Sequence, residues 1–349
     1  MWSALKRFDY QSVIGHERIC EKLQAAVLRD KVVSAYMFCG PEGIGKKTVV
    51  LPFVAALLCQ NPVDGKPCLS CPSCRLLGAD AHPDVIRIMV PEDKKTIGID
   101  QVREQIVKEA YVRPFSSRRK VFIIEDGETM TDDAQNALLK ILEEPPAYVV
   151  FLILTKAQNQ LLETVRSRCL KLQLLPLPNT RVTDYFMSLS KGEANRKDLA
   201  ASFSQGNIGR GLTMLCDDKF YALYCETIDT LQDMVQHKAA VVDMHQLLTG
   251  HAEELSDVID FMLLFFRDCL RVAVETGAHL ICSDKKNAVK AFSEALSAKG
   301  LVRSMEALIR FRERMQSNAG LGAASLELVT RIQEEIHDQG NRSSIQISR

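Results

Sequence analysis

Ala35-Tyr-Met-Phe-Cys39-Gly40-Pro-Glu-Gly43-Ile-Gly45-Lys46-Lys47-Thr48, running on into Val49-Val-Leu-Pro-Phe-Val-Ala-Ala-Leu-Leu58, decides how the rest of the chain is read. Five apolar residues that stop at a glycine are too short for a helix and read as a buried strand, and the apolar run after Thr48 reads as a helix. Strand, glycine loop and helix together match G-x-x-x-x-G-K. In that motif the glycines Gly40, Gly43 and Gly45 let backbone N–H groups close around phosphates. Lys46 reaches the outer phosphates, and the helix start adds its positive end. A coincidental glycine turn is the alternative, and the elements on either side weigh against it.

The motif then departs from its pattern. It calls for Ser or Thr directly after the lysine, where the hydroxyl ligates the magnesium ion that bridges the phosphates, and Lys47 stands there instead. Thr48 lies one residue further, about 100° around the helix axis, and points elsewhere. The strand Val121-Phe-Ile-Ile124 ends in Glu125-Asp126, whereas a nucleotide hydrolase of this build places Asp before Glu. Exchanging them moves each carboxylate by about one methylene in a site that works by positioning. The two faults together predict a nucleotide cradle that does not hydrolyse, with ATP binding itself left open.

Working outward, apolar runs at 35–39, 84–90, 121–125, 149–155 and 170–174 alternate with helical segments. This is the pattern of a parallel sheet covered on both faces, so the core is α/β. Thr131 is a candidate N-cap for a helix whose apolar face is Ala134, Ala137, Leu138, Ile141 and Leu142 and which Pro145 and Pro146 stop. Pro176 and Pro178 close this part. Residues 179–212 read as a small helical lid and 213–338 as helices only, with Leu255, Val258, Ile259, Met262 and Phe266 on one face and Leu326, Val329 and Ile332 on another. Residues 339–349 are polar and read as a mobile tail.

Between the glycine-loop helix and the second strand lies Cys59-x8-Cys68-x2-Cys71-x2-Cys74, in a loop rich in Pro, Gly, Asp and Ser. Four thiolates at that spacing suit tetrahedral Zn²⁺ with no position open for water, a structural and not a catalytic site. Redox-active or free thiols are the alternative reading. The chain holds eleven cysteines, an odd number that speaks against a disulfide framework, and no apolar run near Met1 serves as a leader. A cytoplasmic protein is expected. No stretch approaches the ~20 apolar residues of a spanning helix, so no membrane contact is expected. Lys+Arg and Asp+Glu are both 44 in 349 residues, which excludes steering of nucleic acid by the field of the whole molecule. The one basic cluster is Arg113, Arg118, Arg119 and Lys120, either a DNA-facing patch or a solvated loop.

With these motifs in hand the chain resembles the AAA+ clamp-loader subunits of bacterial DNA polymerase III, and among them the delta-prime branch. The resemblance runs through about the first 210 residues and is carried by Val13-Ile-Gly-His-Glu17, Ala35-Tyr36, His82-Pro83-Asp84, Ile99-Asp100-Gln-Val-Arg103, Asn136-Ala-Leu-Leu-Lys140-Ile-Leu-Glu-Glu-Pro-Pro146 and Ser167-Arg168-Cys169. The family carries its zinc module where Cys59 to Cys74 stand, and the delta-prime branch commonly has a degenerate nucleotide site, in keeping with Lys47. The gamma/tau branch keeps the glycine-lysine-threonine loop and the Asp-Glu order.

The resemblance implies further roles. Arg168 would be an arginine finger acting in trans in a neighbour's ATP site; its local alternative is to complement a helix end or pair with a nearby carboxylate. Thr155 falls where the family has a polar γ-phosphate sensor, and Arg210, in Gly206-Asn-Ile-Gly-Arg210, at the second sensor of the lid. The C-terminal helices would form the collar of a hetero-pentamer with gamma/tau and delta subunits, meeting primer-template DNA through the assembled complex. The function implied is a structural stator that helps load the sliding clamp. The alternatives are a catalytically active gamma/tau-like ATPase and, more remotely, an unrelated phosphotransferase.

Overall fold

The computed structural model describes residues 5–190, 192–237, 240–275, 280–316 and 320–346. The chain divides into two compact units, Met1–Pro178 with Gly206–Gly209, and Asn179–Gln205 with Arg210–Arg349.

The first unit is built on five strands, β1 Ala35–Cys39, β2 Val85–Ile88, β3 Lys120–Ile124, β4 Val149–Thr155 and β5 Leu170–Gln173. All pairings are parallel and the order is β2-β3-β4-β1-β5. Each of the five apolar runs read from the sequence is a strand, with ends shifted by no more than two residues. Because side chains alternate along a strand, Tyr36 and Phe38 of β1, Val121 and Ile123 of β3 and Val150 and Leu152 of β4 fall in one core. Met37, Phe122, Ile124, Phe151 and Ile153 fall in the other.

Helix α1 (Glu17–Leu28) and helix α2 (Lys46–Leu58) cover the first face, α2 burying Val49, Val50, Phe53 and Val54. Helix α3 (Pro72–Gly78) follows the cysteine loop, and α4 (Ile99–Val102) continues through Lys108. Helix α5 (Asp132–Glu143) covers the second face. Thr131 Oγ1 accepts the Ala134 N–H at 3.2 Å as the expected N-cap, and Ala134, Leu138, Ile141 and Leu142 are buried. Helix α6 (Glu163–Arg166) leads into β5. Crossovers that place helices on both faces put the glycine loop and the β3 and β4 carboxyl ends on the same sheet edge, where open α/β sheets hold ligands.

The second unit is helical: α7 Asn179–Ser188, α8 Ala194–Phe203, α9 Ile208–Cys216, whose first two residues belong to the first unit, α10 Asp218–Gln236, α11 Ala240–Gly250, α12 Leu255–Val274, α13 Lys286–Ala295, α14 Ala298–Gln316 and α15 Leu321–Gln346. Its core is aromatic: Phe203, Phe220, Tyr224 and Phe261 form one cluster and Phe265, Phe266 and Phe292 another. Through Phe203 the lid helix α8 joins the same core as the bundle. Leu255, Val258, Ile259, Met262 and Phe266 are all buried as the periodicity predicts. On the last helix Val329 and Ile332 are buried, but Leu326 is 48% exposed and Ala324 and Leu328 take its place. The helical backbone continues through residues 339–346 of the segment read as a tail, and residues 347–349 lie outside the described ones. No helix among the described residues is long and apolar enough to cross a membrane.

Candidate functional site

The glycine loop is closed by contacts of its own unit. Gly40 N donates to Thr155 O at 3.1 Å, tying the loop to the end of β4. Gly209 N donates to Gly43 O at 3.1 Å, and Asn207 Nδ2 donates to Glu42 O at 2.5 Å. A Cβ on Gly209 would stand 2.6 Å from Gly43 Cα, so the two backbones meet this closely because residue 209 has no side chain. The first helical bond of α2 is Val49 N to Gly45 O at 3.0 Å, leaving the N–H groups of residues 46–48 as the open end of the helix.

That end faces a cavity of about 310 Å³ lined by Glu42, Gly43, Gly45, Lys46, Lys47, Thr48, Glu125, Asp126, Leu154 and Lys156. Five of the proposed nucleotide residues other than glycines are Lys46, Thr48, Glu125, Asp126 and Thr155, and the first four are brought together here. The Lys46 ammonium folds back on its own loop, donating to Gly40 O at 2.5 Å and Pro41 O at 2.9 Å. Burial pulls its pKa below the ordinary lysine value, opposed by Glu128, Asp126 and Glu42. Lys47 points across the cavity mouth to Glu125, with Nζ 2.5 Å from Oε2. Its side chain is 68% exposed while that of Glu125 is 9% exposed, so a solvated cation covers a buried carboxylate.

Thr155, Arg210 and Arg168 each have local partners. Thr155 is fully buried, its hydroxyl accepts the Ala157 N–H at 3.2 Å, and its neighbour Lys156 lines the cavity instead. Arg210, within the helical unit, pairs with Asp260 and lies 3.5 Å from Asp257, its guanidinium 4.1 Å above the Phe203 ring. Asp260 also takes Arg312 at 2.9 Å, so Arg210 belongs to a charge network and not to bare solvent. Arg168 follows α6, donating to Thr164 O at 2.8 Å and to Glu143 Oε1 at 2.5 Å. Its guanidinium thus caps a helix end and meets a carboxylate at once.

Glu128, Lys156 and Glu42 were given no role in the sequence reading, although Glu128 stands in the carboxylate run Glu125-Asp126-Gly-Glu128 that follows β3. Glu128 is buried, accepts the Lys156 N–H at 3.2 Å, and has Lys156 Nζ 3.9 Å from its other oxygen. Its signal in the sequence was a third carboxylate, after Glu125 and Asp126. Of the basic cluster, Arg119 pairs with Asp30 at 2.7 Å and buried Lys120 with Glu109 at 2.8 Å, leaving Arg113 and Arg118 as its exposed members.

The four cysteines meet. Cys59, Cys68, Cys71 and Cys74 place their sulfurs within 4.8 Å of one another, with Cys59 and Cys71 4.0 Å apart. Tetrahedral zinc–thiolate bonds of about 2.3 Å require sulfurs roughly 3.8 Å apart, so the group fits such an ion with little contraction. Local folding sets this up. A tight turn pairs Val63 with Lys66 through Asp64-Gly65, and a Cβ on Gly65 would run into Gln24 O at 2.1 Å. Cys71 caps α3 with Pro72 at its first position, its sulfur accepting the Cys74 N–H at 3.5 Å. The amides of Cys68 and Cys71 donate to the sulfurs of Cys59 and Cys68, each at 3.3 Å. Burial pushes the Cys68 thiol up, but N–H and hydroxyl donors from Ser70 and the Cys71 amide outweigh it and bring the pKa down to about 6. The set is suited to a closed metal centre and consistent with structural zinc.

Behind this module, His82-Pro83-Asp84 forms a polar hub. Ser73 Oγ donates to Leu58 O at 2.7 Å and meets His82 Nε2 at 2.9 Å, while His82 Nδ1 accepts the Asp84 N–H at 3.1 Å. The buried Asp84 carboxylate accepts from the amides of Phe115, Ser116 and Ser117 at 2.5, 2.9 and 2.8 Å. Burial raises its pKa, these donors lower it further, and the net is below the usual carboxylate value.

Comparison with known proteins agrees with this architecture. The family described as DNA polymerase III, delta subunit, matches residues 15–178, and its C-terminal counterpart matches residues 219–328. The chain is 40% identical to the DNA polymerase III subunit delta' of Pseudomonas aeruginosa over 144 residues, 41% of this chain and 43% of that protein. It is 30% identical to the corresponding subunit of Escherichia coli over 240 residues, 66% of this chain and 72% of that one. Against the tau/gamma subunit of Haemophilus influenzae it is 32% identical over 288 residues, 73% of this chain and 41% of that protein. The matched stretch thus spans less than half of the Pseudomonas and Haemophilus proteins.

Proposed function

The chain belongs to the delta-prime group of the AAA+ clamp-loader family of bacterial DNA polymerase III, and on that premise we propose that it works as the non-hydrolysing stator of a clamp-loader complex in DNA replication. The observation that carries this reading is the ion pair between Lys47 and Glu125. Magnesium-assisted hydrolysis needs a hydroxyl ligand at residue 47 and a carboxylate free to hold the ion's shell. Here the hydroxyl is replaced by an ammonium, and that ammonium occupies the carboxylate. These residues do not fit a magnesium ion, so no hydrolytic step is assigned to them. The cysteine cluster does fit zinc: Cys59, Cys68, Cys71 and Cys74 would hold it, and the ion would fix the fold of the module and nothing more.

The partners in this reading are gamma/tau and delta subunits in a hetero-pentamer, with primer-template DNA met through the assembly. Arg168 would serve a neighbouring subunit's ATP site. Its present partner Glu143 is about half exposed, and such surface pairs are worth only ~0–1 kcal/mol. Giving it up for a phosphoryl group of greater charge costs little. Arginine fingers contribute on the order of 10³ or more in turnover. Arg168→Ala should therefore lower ATP turnover at the adjoining site by at least ~10³ while the complex still assembles; unchanged turnover in an assembled complex removes the role.

A gamma/tau-like ATPase is the second reading, supported by the convergence of Lys46, Glu125 and Asp126 on one cavity. Magnesium-dependent turnover by the purified chain separates the two.

A further inference from the structure

The helices read as a lid share one compact unit with the bundle that follows them, Asn179–Gln205 with Arg210–Arg349. Within the lid, α9 comes against its neighbours at Gly211, where a Cβ would stand 2.5 Å from the Phe186 ring of α7 and 2.6 Å from Ala200 O of α8. Contacts this close leave the three helices little freedom against one another. Two arginines then join them to the bundle.

Arg196 of α8 reaches the turn between α9 and α10. Its Nε donates to Met214 O at 3.2 Å, its terminal nitrogens to Asp217 O at 3.3 Å and Asp218 Oδ1 at 3.0 Å, and its guanidinium lies 4.4 Å above the Tyr221 ring. Arg210 of α9 stacks on Phe203 of α8 and pairs with one oxygen of Asp260 on α12, while Arg312 of α14 donates to the other at 2.9 Å. A single carboxylate thus takes one guanidinium from the lid and one from the bundle. Asp260 is 9% exposed, and breaking a buried pair costs far more than breaking a surface one. Asp257 lies 3.5 Å from Arg210, so without that arginine Asp257 and Asp260 would feel each other's charge. Phe203 itself is fully buried against Phe261 of α12 and Phe220 of α10, with ring centres 5.1 and 5.6 Å away.

We propose that Asp260 is a latch: by holding Arg210 and Arg312 together it makes the lid helices and the bundle one cooperative body, and it withholds Arg210 from any ligand of the lid. The lid opens only when the helical unit opens, whereas a lid hinged on its own would open at a lower free energy. The proposal concerns the helical unit by itself and does not need the stator reading.

The test is hydrogen exchange of the zinc-replete full chain, read by peptide mass spectrometry, with the lid helices α8 and α9 compared with the bundle helices α13 and α15. In the wild type the best-protected amides of the two groups should agree within about threefold. Asp260→Asn keeps the shape of the side chain and removes its charge; it should speed exchange in α8 and α9 at least about tenfold and in α13 and α15 by less than about threefold. Arg210→Gln breaks the same latch from the lid side while Arg312 keeps Asp260 paired, and should give the same selective loosening if Asp260→Asn does not fold. Lid amides that already exchange at least about tenfold faster than the bundle in the wild type overturn the proposal. Equal acceleration of lid and bundle in the folded variants overturns it too, being the mark of a contribution to general stability, as does no acceleration in either.

Discussion

Two clusters of charge-bearing residues lie in the first unit, and they solve the problem of buried charge in opposite ways. The cysteine cluster gathers four thiols within 4.8 Å of one another and supplies no cation among them. Held together as thiolates they would repel one another, and a bound zinc ion would supply the compensating charge. The glycine-loop cavity brings its own cation, since Lys47 meets Glu125 before any metal arrives. One centre offers ligands without a counter-charge; the other carries a counter-charge within the chain.

The largest expected effect tests the first half of this contrast. Elemental analysis should find one zinc per chain, and removing it with a strong chelator should unfold the segment from Cys59 to Gly78 and open it to proteases, at a cost of several kcal/mol. A chain that contains no zinc when freshly purified and still resists proteolysis there would make the two centres alike. Next comes Asp84, a buried carboxylate satisfied by N–H donors instead of a cation. Asp84→Asn should destabilise the fold by about 2–3 kcal/mol in urea melts, because an amide turns a donor toward the amides of Phe115 to Ser117. The pH dependence follows from its lowered pKa. A folded-state value below the unfolded ~3.9 means that the contribution is present above that pH and is lost as pH falls through the folded value. The wild type should show this acid loss and the variant should not. The smallest effect belongs to Lys47→Met, which should change thermal stability by no more than ~1 kcal/mol, because so exposed an ammonium is screened by water. A loss of ~3–5 kcal/mol would mean that the pair behaves as a buried one.

Local patterns made most of the fold legible. The five strands follow from short continuous apolar runs, the Thr131 cap from a hydroxyl residue placed just before a helical face, and the buried face of α12 from a period of 3.6 residues. The four cysteines were legible because ligand spacing is itself local. Lys47 was legible as a departure from a motif, but its partner was not: Glu125 follows β3, far from α2 in the sequence, and ion pairs between distant elements leave no period in the sequence. The same holds for Arg168 with Glu143 and Arg210 with Asp260. Leu326 was misplaced on the core face because an α-helix turns 3.6 residues and a three-residue step overstates how far the apolar stripe extends. The pairing of Glu128 with Lys156 was hidden for the same reason: β3 and β4 are neighbours only in the folded sheet, and the turn after β3, where Asp126 adopts φ 47°, leads to Glu128.

The central claim is that the ammonium of Lys47 stands in for the anchor of a divalent ion. Steady-state ATP hydrolysis by the purified chain, followed with and without magnesium and compared with Lys46→Ala, tests it most directly. The expected result is turnover at the level of the Lys46→Ala variant whether or not magnesium is present. Magnesium-dependent hydrolysis that Lys46→Ala abolishes would contradict it.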